Sequence, residues 1–358
     1  MCELMSAKKI VIAIDAMGGD KIPNVPIEGI KLFCKKYGEN GVFFKVFGDE
    51  KILSRSLMGL NKSVYEIIHS ESAISSDEKP SIAIRKSKGT SMRMAIEAVA
   101  SGVADASISG GNTGALMALS KLILKTTEGI NRPAICALMP TKKGKCVLLD
   151  MGANIEVSAR NLLEFAIMGS AFAEVVLKKR NPKIALLNIG SEEMKGHDYI
   201  HEAAELIRNS HIADQFHGYI EPDKIYAGDI DVIATDGFTG NVVIKSAEGL
   251  GKLIKSLLKD AFSSNIVSML GYGISSFSLN NTMQIMDPNN YNGGMFIGLN
   301  GVSLKSHGGA DKFGFCNAIG HAVSIVKNDM NKKITARMIK NIDTSLPPSE
   351  EVESLSAE

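Results

Sequence analysis

Short runs of Val, Ile and Leu recur along this chain at 10–14 (IVIAI), 42–47, 64–68, 105–108, 133–139, 145–149 (KCVLL), 183–188 (KIALLN) and 231–234. Apolar runs of this length suit strands buried on both faces, which requires helices on each side of the sheet. Patterns of helical period fill the gaps, at 91–101, 112–125, 158–179, 197–210 and 312–328. The alternation predicts a three-layer, Rossmann-like α/β fold with a mixed, mostly parallel sheet and helices on both faces. Between 133–139 and 145–149 only the link TKKG intervenes, which predicts a local antiparallel hairpin.

At 358 residues, with 45% hydrophobic and 22% charged side chains, the chain can bury a sizeable core, and we expect one α/β domain over 1–340. Forty Lys and Arg against 39 Asp and Glu leave a formal charge of +1, so no nucleic-acid partner is expected. The five cysteines, Cys2, Cys34, Cys136, Cys146 and Cys316, are odd in number and lack zinc-site spacing. They predict buried thiols in a reducing cytoplasm, with no metal and no cofactor. The start, MCELMSAKK, lacks the apolar segment of a signal peptide, and no run is long enough to span a bilayer. The expected location is therefore cytoplasmic. The end, 341–358, carries two prolines, five acids and no base, and predicts a disordered acidic tail.

One segment, about 245–290, departs from the α/β rhythm and predicts a helical hairpin. Leu250, Leu253, Ile254, Leu257, Leu258 and Phe262 form a helical stripe, with Lys245, Lys252, Lys255 and Lys259 on other faces. After Asp260 no charge appears until Asp287, while Ile266, Val267, Met269, Leu270, Ile274 and Phe277 supply apolar bulk. Such a hairpin fits first of all packing within the fold or across a dimer interface, and is compatible with a peripheral contact with a membrane surface.

Five small polar turns each follow an expected strand. The first holds Asp15, Gly18, Gly19 and Asp20; the second holds Gly110, Gly111, Asn112 and Thr113 and opens a helix. The third ends on Asn154, the fourth contains Asn188 and Gly190, and the fifth contains Asp236, Thr239 and Asn241. Glycine lets a ligand approach the backbone, and N–H groups at a turn or helix start attract anions. In a doubly wound sheet, turns at strand ends can converge on one crevice, so these residues are candidates for binding phosphate. Neither a Walker A loop nor GxGxxG is present, and no GxSxG elbow or contextual Cys marks a nucleophile. Direct attack by a bound nucleophile is the simpler expectation. Lys195, just past a strand end, could steady a developing oxyanion, and Asn241 could position a substrate. His307 in SHGG is a candidate acid, base or phosphate contact, and Arg85 with Lys88 form a basic cluster suited to an acidic protein or a phosphate.

Taken in order, IAIDAMGGD, RKSKGTSM, GGNTGALMA, NRPAICALMPT, LLDMGAN, LLNIGSEEMKG, DVIATDGFTGNV and SLKSHGGAD resemble the motifs of the phosphate acyltransferase (PlsX) family. The match runs from about Ile10 to Val326. Gly110 stands where the family usually has Ala, and Ser191 interrupts a usual Gly-Glu-Glu. The resemblance implies that acyl carrier protein delivers a fatty acyl thioester, that inorganic phosphate attacks it, and that the acyl phosphate passes to a membrane glycerol-3-phosphate acyltransferase in phospholipid synthesis. It also implies a homodimer without a metal and a fold similar to phosphotransacetylases and isopropylmalate-type dehydrogenases; Lys195 and Asn241 fit this chemistry as catalytic residues on their own terms. The residues leave three other readings open: a phosphotransacetylase-like enzyme using acyl-CoA, a dehydrogenase of related fold, and a membrane-associated anion-binding scaffold.

Overall fold

A computed structural model describes residues 9–285 and 287–341. The expected acidic tail lies outside the described residues, apart from Asn341. Eleven strands form one sheet: β1 (Ile10–Asp15), β2 (Val42–Gly48), β3 (Tyr65–His69), β4 (Ala106–Ser109), β5 (Ala134–Thr141), β6 (Gly144–Leu149), β7 (Ile184–Leu187), β8 (Phe216–Ile220), β9 (Val232–Ala234), β10 (Gly294–Ile297) and β11 (Val302–Lys305). Their order is β3-β2-β1-β4-β11-β10-β5-β6-β9-β7-β8. The helices include α1 (Asn24–Tyr37), α2 (Glu50–Ser56), α3 (Pro80–Arg85), α4 (Ser91–Ala100), α5 (Thr113–Leu124) and α6 (Ala159–Val176). They continue with α7 (Asp198–Arg208), α8 (Gly237–Ser263), α9 (Ile266–Ile285), α10 (Lys312–Lys327) and α11 (Met330–Asn341).

The sheet is mixed as expected, and its pairing explains its shape. Strands β3, β2, β1, β4 and β11 are parallel, as are β6, β9, β7 and β8. Three antiparallel pairs, β11 with β10, β10 with β5 and β5 with β6, join these blocks, so the blocks run in opposite senses. The β5–β6 pair is the expected hairpin, with Thr141 opposite Gly144.

Alternate residues of each strand serve different layers, as a pleat with a period of two requires. On β1, Ile12 and Ile14 pack in the main core with Ile27 and Ile30 of α1 and Phe315 of α10. Ala13, between them, joins the cluster holding Ala95 and Ala98 of α4. On β6, Val147 and Leu149 pack with Phe165 and Ile167 of α6, while Cys146 and Leu148 face Ile244 and Ala247 of α8. Cys34, Cys136, Cys146 and Cys316 are buried and free, as their expected packing role requires. Burial pushes the Cys146 thiol up to about 12, so it is not a thiolate nucleophile.

Helices α8 and α9 form the expected hairpin. Its root packs under β6, whereas Leu253 is 54% and Leu257 is 58% exposed along the middle of α8. At the tip, Ile266 and Val267 are 77% and 78% exposed. Among the described residues no helix is long and apolar enough to cross a membrane.

Candidate active site

The glycine turns form two interlocked groups, one from each parallel block. In the first, the fully buried Asp15 accepts a hydrogen bond from Ser109 Oγ at 2.6 Å, and Asp20 N donates to Gly308 O at 3.1 Å. The three turns after β1, β4 and β11 therefore meet. Glycine is required at their junction: a Cβ on Gly18 would lie 2.7 Å from Gly111 N, and one on Gly110 would lie 2.8 Å from Gly18 O. Burial raises the Asp15 carboxyl above the usual carboxylate range, against hydrogen bonds from Ser109 and Met17 and the charge of Lys305.

In the second group, Gly237 N donates to Asn154 O at 2.7 Å, joining the turns after β6 and β9. Asp150 holds this group, accepting from Ile135 N at 2.9 Å, from Ala153 N at 3.1 Å and from Asn154 N at 2.6 Å. A Cβ on Gly240 would sit 1.9 Å from Asp150 O, so α8 can start beside this turn only with glycine there. Asp236 caps α8 through Thr239 N at 2.8 Å and Thr239 Oγ1 at 2.7 Å.

Between the two groups lies a cavity of about 850 Å³. It is lined by β5, the start of α5 and the first turns of α8. Its apolar wall includes Ile135, Ala137 and Met139 of β5 and Ile244, Ala247 and Leu250 of α8. Its polar wall brings together Thr113, Asn241, Lys245, Lys305, His307 and Gly308. Thr113 stands at the start of α5, where first-turn N–H groups have no carbonyl within the helix to reach. Asn112, the cap, accepts from Ala115 N at 3.0 Å.

Lys305 ends β11 and donates to Gly110 O at 3.0 Å, between Asp15 and Asp20. Burial lowers its pKa to about 8, although both acids favour its charge. Its ammonium is thus cationic at neutral pH but poorly solvated, the condition in which an arriving anion is most welcome. His307 Nε2 lies 3.4 Å from Lys245 Nζ and 3.8 Å from Glu248 Oε1. Burial lowers the His307 pKa, assisted by Lys245 and Lys305 and opposed by Glu248. Because His307 Nδ1 accepts from Gly309 N at 3.1 Å, the neutral ring carries its proton on Nε2, beside Lys245 and Glu248.

Of the residues expected from the sequence, Thr113, Asn241 and His307 line this cavity, and Asp20 with His307 lines an adjoining one. Asp15, Gly18, Gly19, Gly110, Gly111, Asn112, Asn154, Asp236 and Thr239 lie outside the lining, in or beside the turns that frame it. Asn188 and Gly190 belong to the loop after β7, where Asn188 Nδ2 donates to Lys195 O at 2.6 Å. Lys195 also stands outside the lining: its Nζ pairs with Glu192 Oε1 at 2.9 Å, and its side chain is half exposed. That pairing raises the Lys195 pKa. Arg85 and Lys88 do not line the cavity either. Lys305 was missed because the strand VSLK alternates apolar and polar residues and does not stand out as an apolar run. A lysine at a strand end immediately before SHGG was the available signal.

Residues 10–333 match the model of a family described as fatty acid synthesis proteins. A phosphate acyltransferase of Rhodospirillum rubrum is 45% identical over 336 residues, which cover 93% of this chain and 96% of that protein. One of Gluconobacter oxydans is 45% identical over 338 residues, covering 94% and 91% respectively. Among solved structures, a phosphotransacetylase from Streptococcus pyogenes superimposes with a TM-score of 0.61 at 18% identity, covering 89% of this chain and 94% of its own. The EutD phosphotransacetylase from Staphylococcus aureus gives 0.56 at 17% identity, covering 93% and 96%. At such identities these two share the fold.

Proposed function

The chain belongs to the phosphate acyltransferase family, and from that premise we propose that it transfers a fatty acyl group from acyl carrier protein to inorganic phosphate. The observation that carries the reading is a single cavity in which an apolar wall ends on cations, a histidine and glycine turns. The apolar wall suits a hydrocarbon chain, and the polar end suits phosphate. A phosphate oxygen attacks the thioester carbonyl carbon, forming a C–O bond. The C–S bond then breaks, the sulfur leaves as a thiolate, and solvent protonates it. Phosphate is already nucleophilic at neutral pH, so the protein's task is to position it and to stabilise charge.

In this reading Lys305 and Lys245 hold phosphate against the start of α5, and Asn241 orients phosphate or the carbonyl. Lys195 contributes from the neighbouring loop after leaving Glu192, steadying the tetrahedral oxyanion. The exposed face of α8 meets a second copy of the chain, and the α8–α9 tip rests on the membrane where the acyl phosphate is handed to a glycerol-3-phosphate acyltransferase. The decisive assay is phosphate-dependent release of free thiol from palmitoyl carrier protein, run beside palmitoyl-CoA and acetyl-CoA. Release from the carrier protein with little from either CoA ester is the expected result. Preference for acetyl-CoA would make the enzyme a phosphotransacetylase instead.

A further inference from the structure

A second cavity, of about 780 Å³, lies beyond the segment 290–291, bounded by the end of α1, the start of β6 and the later turns of α10. Tyr291 lines both cavities. Nothing in the transfer chemistry uses this space, yet its lining is selective in charge. Among the described residues, Lys145, Lys327 and His321 contribute to it, and no Asp or Glu does. The acids nearest in sequence are engaged elsewhere: Glu39 Oε2 accepts from Asn61 Nδ2 at 2.9 Å, and Asp329 pairs with Lys332 at 3.0 Å.

Lys145 Nζ lies 5.1 Å from the centre of the Tyr291 ring, so its nearest described electrostatic partner is an aromatic face rather than a carboxylate. Its side chain is exposed at the mouth of the cavity, and the partial burial of its ammonium lowers its pKa. His321 is pressed further, down to about 4, by burial and by the charge of Lys145. At neutral pH its ring is uncharged, and hydrogen bonds to the backbone of Gly293 and Asn292 hold it in place at the edge of the cavity. Asn40 and Ser324 add polar groups, while Phe33 and Tyr37 supply an aromatic flank. A concave site with uncompensated positive charge, neutral polar groups and an apolar side favours a compact anion attached to a ring or short apolar group.

We propose that the cavity between α1, β6 and α10 is a binding site for a small phosphorylated metabolite, its phosphate held by Lys145 and Lys327 and its organic part against Phe33 and Tyr37. The site is independent of the acyl-transfer reading, because its occupancy is measured without turnover.

Phenyl phosphate carries both chemical halves and serves as the probe. Calorimetric titration of the whole chain should show binding that survives Lys305→Met, which disables the anion end of the first cavity. Lys145→Met with Lys327→Met should weaken that binding at least about tenfold, the loss of one charge-assisted hydrogen bond or more. Phosphate-dependent thiol release in the absence of the probe should be unchanged in the double variant. A proton resonance assigned to His321 by its absence in His321→Gln should titrate at higher pH with the probe bound, since a nearby anion favours imidazolium. Should the double variant melt early, Lys327→Met alone gives the same comparison. Absence of probe binding by the parent chain overturns the proposal, as do binding lost only in Lys305→Met and equal binding in the lysine variants.

Discussion

Replacing Lys305 by Met separates stability from catalysis at one atom. The fall in the lysine's pKa from 10.5 to about 8 corresponds to about 3 kcal/mol of penalty on the buried ammonium. Methionine removes that penalty but leaves both Gly110 O and Ser306 O without their donor, a loss of about 2–6 kcal/mol for the two. The net cost is at most about 3 kcal/mol, so the variant should fold with a moderately lowered Tm. Activity has no such offset. Losing a preorganised cation beside the phosphate should lower turnover by about 10²- to 10³-fold and raise the KM for phosphate. The pH profile follows with a definite sign. Below about pH 8 Lys305 is charged in the free enzyme; above it the charge is lost, so kcat/KM for phosphate should fall as pH rises through about 8. Lys305→Arg should move that limb upward, because guanidinium does not titrate there. The assay is thiol release from palmitoyl carrier protein at varied phosphate and pH. Parental KM and turnover in a folded Lys305→Met variant would refute the assignment.

Lys195→Ala should lose on the order of 10²-fold in turnover if the lysine leaves Glu192 to stabilise the transition state; near-normal turnover in the folded variant removes it from the mechanism. Gly111→Val should raise the KM for phosphate and lower thermal stability, since even a Cβ would lie 2.7 Å from Met92 Cε; an unchanged KM excludes the 109–114 turn from the anion site. Replacing Ile266, Val267, Met269 and Leu270 with Ser or Glu should abolish liposome flotation while leaving dimerisation and thiol release intact. Loss of the dimer, with no flotation by the parent protein, would make the tip an interface element.

Local chemistry made much of this molecule legible in the linear chain. Buried Val, Ile and Leu runs marked eight strands because a strand covered on both faces cannot alternate with polar residues, and TKKG marked the β5–β6 hairpin because four residues cannot cross over a sheet. Order and spacing of the glycine motifs carried the family resemblance, whereas only the fold showed that Gly18, Gly110 and Gly240 are required by the close approach of neighbouring turns. Strands β8, β10 and β11 were not legible: β8 carries His217, Gly218 and Tyr219 within five residues, β10 reads GMFI with a single Val, Ile or Leu, and β11 reads VSLK, in which apolar and polar residues alternate. Their pairings are set by distant neighbours, and the pairing of β10 is what turns the two parallel blocks in opposite senses. The same holds for the cations of the cavity. Lys305 meets Gly110 across 195 positions, and Lys245 meets His307 across 62. Desolvation and charge depend on what surrounds an atom in space, so folding alone distinguished a buried ammonium from the many solvated lysines of this chain.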